Sequence, residues 1–159
     1  MLIDMYNKSD IAMIKAATVE KKVGITSGTF DLYHYLHLIY LQRCRRECDV
    51  LIVGVDCDQL VRDTKGSMRP IIPEHQRVAM VASQVGVAAA FVLPSADDFG
   101  MAVKIFGADI IFKNDAFKPE EVYGKELAEV KIISDVRQPD STSGIIEEII
   151  RRRTNDGQT

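Results

Sequence analysis

The chain contains no tryptophan and only three cysteines, Cys44, Cys48 and Cys57. An odd, sparse set without zinc-ribbon spacing gives neither a disulfide framework nor a metal knuckle, so the thiols are read as reduced, as in a cytoplasmic protein. No apolar run approaches the ~20 residues that a spanning helix needs, so no membrane association is expected. The opening stretch, MLIDMYNKSDIAMIKAATVEKK, carries acids early and lacks the basic-then-apolar order of a signal peptide. Excess positive charge is missing too. Twenty Lys and Arg against 23 Asp and Glu leave a net charge of −3, which offers no general attraction to nucleic acid or an anionic membrane. Internal repeats, low-complexity segments and linkers are also lacking. The 159 residues therefore read as one domain, 1–159, with a leading helical segment at 1–20 and a fraying tail at 154–159.

What is present is a strict alternation. Short apolar segments at 21–27, 49–56, 88–94, 108–113 and 130–134 read as strands buried on both faces. Helical patterns at 34–47, 74–84, 96–106, 119–129 and 143–153 lie between or after them. Strands alternating with helices, joined by right-handed crossovers, predict an α/β fold: a Rossmann-like, doubly wound three-layer sandwich with a five-stranded parallel sheet. In such a sheet the ligand lies beyond the carboxyl ends of the strands. That rule selects the loops 28–33, 56–73, 113–117 and 136–143. Every chemically unusual stretch of the chain falls in one of these loops or in the helical turn after it.

The first loop lacks the dinucleotide fingerprint GxGxxG. GITSGTFD supplies Gly24 and Gly28 without a third glycine, which argues against nicotinamide binding. A helix starting near Asp31 or Leu32 would offer free N–H groups to a phosphate. His34 and His37 follow at i, i+3 on one helix face. They are either a pair placed to stabilise a phosphoryl group under attack or two packing residues that share a face. Zinc is excluded between His37 and Cys44, since seven helical residues rise roughly 10 Å, beyond the reach of bonds of about 2 Å. No metal-ligating set is expected.

In the second loop, RDTKGSMRPIIPEHQR can bring Lys65 over a polyphosphate, with Arg69 and Arg77 as candidate phosphate contacts; a solvated basic loop is the alternative. The last helix opens with Ser141, Thr142 and Ser143, which serve equally as ordinary caps or as phosphate ligands.

GTFDLYHYLH resembles the G-x-F-D-x-x-H-x-G-H signature of the cytidylyltransferase-like nucleotidyltransferases. That family includes glycerol-3-phosphate cytidylyltransferases and heptose-phosphate adenylyltransferases. The resemblance extends over about 21–153. It implies attack by the phosphate oxygen of a sugar or polyol phosphate on the α-phosphorus of ATP or CTP, with Mg²⁺-assisted loss of pyrophosphate. It also implies that His34, His37 and Lys65 are catalytic, and that Gly28, Thr29 and Phe30 contact the nucleotide through their backbone. KGSMRPIIPEHQR resembles the family's lysine element, DSTSGII its S-T-T-x-I-I element, and FKNDAFKPE the K-G-G-D-x-x-P-E stretch of the heptose branch. These imply nucleotide contacts from Ser141, Thr142, Ser143, Lys113 and Asp115, the last two near base and ribose. Arg137 matches an arginine found in some cytidylyltransferases. The resemblance also makes a homodimer an expectation.

One position departs sharply. Leu36 stands where the family has glycine between the histidines. Its side chain implies a displaced nucleotide pose or a nucleotide-binding module without catalysis. A flavodoxin-like redox protein is a further alternative, although it leaves the histidine pair unexplained.

Overall fold

The computed structural model describes residues 1–134 and 141–156. Five strands form one all-parallel sheet: β1 (Val23–Gly28), β2 (Val50–Asp56), β3 (Val87–Leu93), β4 (Ile110–Asn114) and β5 (Glu129–Ile133). Their order is β3-β2-β1-β4-β5. The chain winds outward from β1 to β3, then crosses back to add β4 and β5 on the other side. That reversal opens a crevice between the carboxyl ends of β1 and β4, where such sheets hold their ligands.

Among the described residues six α-helices accompany the sheet: α1 (Lys8–Ala17), α2 (Tyr35–Arg46), α3 (Asp58–Lys65), α4 (Glu74–Ala82), α5 (Ala96–Phe106) and α6 (Thr142–Asp156). The side-chain period of two explains the layers. Leu51, Val53 and Val55 of β2 pack with Leu41 and Cys44 of α2 and Val78 and Val81 of α4. Ile52, one step out of phase, joins Ile25, Phe91 and Ile111 against Ile14 of α1 and Phe99, Val103 and Phe106 of α5. Each such side chain contributes ~1.5–3 kcal/mol by leaving water, so the two-sided sheet dominates the stability. Gly24 permits close packing in β1, since a Cβ there would lie 2.4 Å from the Phe112 ring and 2.7 Å from Cys48 Sγ. Cys44 and Cys48 are both buried, and Cys48 Sγ donates to the Cys44 carbonyl at 3.4 Å.

The leading segment is only partly helical. Leu2 bridges Ala90 in parallel beside β3, and Asn7 then caps α1 by accepting from the N–H groups of Ser9 and Asp10. At the other end α6 continues to Asp156, past the helix end read at 153.

Three elements differ from the sequence reading. The helix expected over 119–129 is a single 3-10 turn, Pro119–Glu121, followed by turns. Gly124, at φ 84°, bends the chain down onto α5, where a Cβ would lie 3.3 Å from Gly100 Cα. Within the expected loop 56–73, residues Asp58–Lys65 form helix α3, which places one apolar side chain, Val61, in the interior. Its start is fixed locally and across a gap. Cys57 Sγ accepts from the Leu60 N–H, while Asp58 and Glu74 each accept the other's backbone N–H. Finally, α2 begins at Tyr35, not near Asp31 or Leu32, and His34 is its N-cap residue.

Candidate active site

The turn from β1 into α2 is strained. Phe30 and Leu32, neither of them glycine, have φ of 51° and 46°, a conformation costing roughly 1–2 kcal/mol per residue. Asp31 between them holds the turn in place. Its carboxylate accepts from the backbone N–H groups of Ile71 and Ile72 and from Arg69 Nε, at 2.8–2.9 Å. Burial pushes this carboxyl up, but the two N–H groups and the Arg69 charge outweigh it, and the net shift is downward. Asp31 thus stays ionised and clamps the 69–72 segment against the start of α2. The signature's aspartate had been given no role in the sequence reading.

The clamp positions the histidines. The His34 N–H donates to His37 Nδ1 at 3.3 Å, and the two ring centroids are 3.9 Å apart. His37 also packs against the rings of Phe30 and Tyr33, at 5.3 and 5.5 Å. Burial, followed by the nearby charges of His34 and Lys65, lowers its pKa to about 3, with Asp31 opposing. At neutral pH His37 is therefore uncharged. With Nδ1 accepting, its proton sits on Nε2, so it acts as a hydrogen-bond donor and not as a cation. His34 reaches a different partner. Thr142 Oγ1 donates its single proton to the Asp31 carbonyl at 3.0 Å and so accepts from His34 Nε2 at 3.3 Å. The start of α6 is thereby fixed against the histidine turn.

These groups surround a cleft of about 540 Å³ at the crevice between β1 and β4. Gly28, Thr29, Phe30, His37, Lys65, Arg69 and Thr142 line part of it. Desolvation and the adjacent Arg69 hold the Lys65 ammonium below its ordinary pKa, and Asp56 and Asp31 partly restore it. Leu36 lines the same cleft, so its side chain does face the site.

Not every candidate takes part. Arg77 is fully buried, and its three nitrogens donate to the carbonyls of Ile72 and Thr29 and to the Asp58 carboxylate, at 2.6–2.7 Å. It is a brace behind the site and not a phosphate contact, a correction that spacing alone could not supply. Ser141 caps α6 by accepting from the Gly144 N–H. Ser141, Ser143 and Asp115 are all exposed, and none of them lines the cleft. Arg137 lies outside the described residues.

Another part of the cleft lining has a different character. Leu93, Ala96, Phe99, Phe117, Val122 and Tyr123 form its walls. Lys113 enters it from the end of β4, 7% exposed, and donates to Ser27 Oγ at 2.6 Å. Its Nζ lies 4.1 Å from the centroid of the Phe99 ring and 4.9 Å from that of Phe117. Burial lowers its pKa to about 8, although Asp56 pulls the other way. Asp56, at the end of β2, accepts from Thr29 Oγ1 at 3.1 Å, and burial raises its pKa. Neither Asp56 nor the aromatic walls had stood out in the sequence, where they read as a strand end and ordinary core.

Residues 25–152 match the cytidylyltransferase-like family model. The chain belongs to the cytidylyltransferase-like family. Among its relatives, Bifunctional protein HldE of Desulfatibacillum aliphaticivorans is 38% identical over 136 residues, covering 81% of this chain and 27% of that protein. HldE of Helicobacter hepaticus is 35% identical over 135 residues, covering 84% and 28%. The chain thus spans roughly a quarter of these curated relatives. A solved lipopolysaccharide core biosynthesis protein from Thermoplasma volcanium superposes with a TM-score of 0.63 at 26% identity, over 74% of this chain and 98% of that one. A pantothenate synthetase structure from Thermus thermophilus, at TM-score 0.61 and 15% identity over 87% of this chain and 63% of that one, shares the fold. Membership of a nucleotidyltransferase family leaves the flavodoxin-like alternative without support. No helix of the described residues is long and apolar enough to cross a membrane.

Proposed function

We propose that the chain is a nucleotidyltransferase that moves a nucleoside monophosphate from ATP or CTP to a sugar or polyol phosphate and releases pyrophosphate. The observation that carries this reading is the gathering of His37, Lys65, Arg69 and Thr142, from three separate segments, on the lining of a single cleft. The nucleotide's phosphates would lie over Gly28–Phe30 and the first N–H groups of α2. An acceptor phosphate oxygen attacks the α-phosphorus, and the bond to the bridging oxygen breaks with its electron pair leaving on pyrophosphate. The His37 Nε2–H donates to an α-phosphate oxygen as charge builds there, and His34 and Thr142 hold the turn that aims it. Lys65 and Arg69 neutralise the departing pyrophosphate.

Among the described residues no three His, Cys, Asp or Glu groups gather to hold a metal ion. Mg²⁺ would be carried in on the phosphate oxygens, with Asp56 a cleft carboxylate able to meet its hydration shell. Mg²⁺ would neutralise phosphate charge there. Resemblance of 112–124 to the heptose-phosphate adenylyltransferase branch supports ATP and a sugar 1-phosphate.

Leu36 in the cleft favours one rival, a nucleotide-binding module without turnover. Pyrophosphate release, followed with each of ATP and CTP and a panel of sugar and polyol phosphates, separates the two. Release with at least one pair is expected. Nucleotide-dependent thermal stabilisation without release from any pair would leave the module as the answer. Leu36→Gly should tighten nucleotide binding several-fold, read by titration. Unchanged affinity would remove Leu36 from the list of obstacles.

A further inference from the structure

Lys113 is a cation whose bonding is unfinished. It is 7% exposed, and Ser27 Oγ is its one hydrogen-bond acceptor among the described residues. An ammonium has three donors, so two remain for whatever enters the cleft. No carboxylate of the described residues forms an ion pair with it. Asp56 acts only through space, its own oxygen bonded to Thr29, and Glu121 on the cleft rim pairs with Lys118 at 3.6 Å. Burying a charge in this state is costly unless something of opposite sign completes it. The two aromatic faces stabilise the cation, yet they supply no full negative charge.

We propose that Lys113 is the anchor for the phosphate of the acceptor, and that the rings of Phe99 and Phe117 beside it receive the apolar, carbon-bearing face of the acceptor's body. This rests on the nucleotidyltransferase reading and names the substrate class of its second site. Three observations support it. Lys113 is hydrogen-bonded to Ser27, the residue before Gly28, so an anion on its free donors lies beside the position taken by the nucleotide's phosphates. A neutral base or ribose would return less of the desolvation cost than a phosphate dianion does. Beside it Phe99 and Phe117, with Leu93, Ala96 and Val122, give an apolar surface for the acceptor's carbon face, while Asn114, Glu121 and Tyr123 leave polar groups for its hydroxyls. An acceptor lying on that surface with its phosphate on Lys113 holds the phosphate next to the Gly28 turn. There its oxygen forms the new bond to the α-phosphorus as pyrophosphate leaves, and no proton has to be transferred.

The test is equilibrium titration of the full chain, first with a non-hydrolysable ATP analogue and then, at saturating analogue, with phenyl phosphate or methyl phosphate. Wild type should bind phenyl phosphate at least fivefold more tightly than methyl phosphate. Lys113→Met should weaken both monoesters tenfold or more and leave analogue affinity within about twofold. Phe117→Leu keeps the cation and should erase most of the phenyl preference while methyl phosphate binding holds, which protects the test should Lys113→Met not fold. Equal loss of analogue and monoester affinity in Lys113→Met would overturn the assignment and make Lys113 a nucleotide contact. Monoester binding indifferent to both variants would overturn it as well. Absence of wild-type binding to the ATP analogue and to its CTP counterpart alike would instead remove the nucleotidyltransferase reading on which the assignment stands.

Discussion

Arg77 and Lys113 are both buried cations within the same α/β sandwich, and they behave as opposites. Arg77 has each of its three nitrogens bonded, to two carbonyls and to the Asp58 carboxylate, so an anion of the protein itself balances its charge. Lys113 has one hydroxyl and two aromatic faces, and it faces a cleft. A buried charge paired with a carboxylate of its own protein is architecture, whereas one without such a partner at a cavity wall is prepared for something that arrives later.

The largest expected effect is on the Arg77 side. Arg77→Met strands the Asp58 carboxylate and the Thr29 and Ile72 carbonyls, and should cost ~3–5 kcal/mol. In a thermal melt this is a fall of roughly 10 °C for a domain of this size. A fall of only one or two degrees would mean that the brace is dispensable and the contrast false. Lys113→Met should act with the opposite sign and raise stability at pH 7 by about 1–3 kcal/mol, because each pKa unit of depression corresponds to ~1.4 kcal/mol. The pH dependence follows from the shift of Lys113 from 10.5 to about 8. Between those values the unfolded chain holds the proton that the folded chain has lost, so wild-type stability rises with pH across that window. Urea melts at pH 7, 9 and 10.5 should show the gap between variant and wild type closing, and a gap independent of pH would break the comparison. Arg69 lies between the two extremes, its side chain 14% exposed and paired with Asp31 at 2.8 Å. Arg69→Lys keeps the charge and loses the planar guanidinium, so a cost of about 1 kcal/mol is expected, together with a few-fold loss of nucleotide affinity. If affinity alone moves, Arg69 belongs with Lys113; if stability alone moves, it belongs with Arg77.

His37 provides a further pH signature. Its pKa of about 3 against an ordinary 6.5 means that the unfolded chain takes up the proton first as pH falls. Stability should therefore decline as pH drops through 6.5 toward 3, and His37→Asn should flatten that decline in acid-unfolding curves.

How much of this the chain disclosed beforehand depended on the kind of signal. The five strands were legible because β2 and β4 are apolar on both faces, a pattern that only a covered parallel sheet requires. That His37, Lys65 and Thr142 line one cleft was legible because each belongs to the segment that follows a strand's carboxyl end in the chain. The difference between Arg69 and Arg77 was not, since both sit in one basic stretch, and only their partners tell them apart. Phe99 and Phe117 were invisible for another reason: an aromatic wall of a cleft and an aromatic core residue look identical in sequence. Helix α3 escaped notice because eight residues with one interior side chain leave too little periodicity to detect.

Asp31 carries a last implication. Its carboxylate joins segments 40 and 41 residues away, and its carbonyl joins one 111 residues away. Closing loops of that length costs conformational entropy, as does the β1–β4 pairing of the sheet across 86 residues. A chain folded in every other respect but lacking this junction would hold its helices and strands and yet display no working cleft.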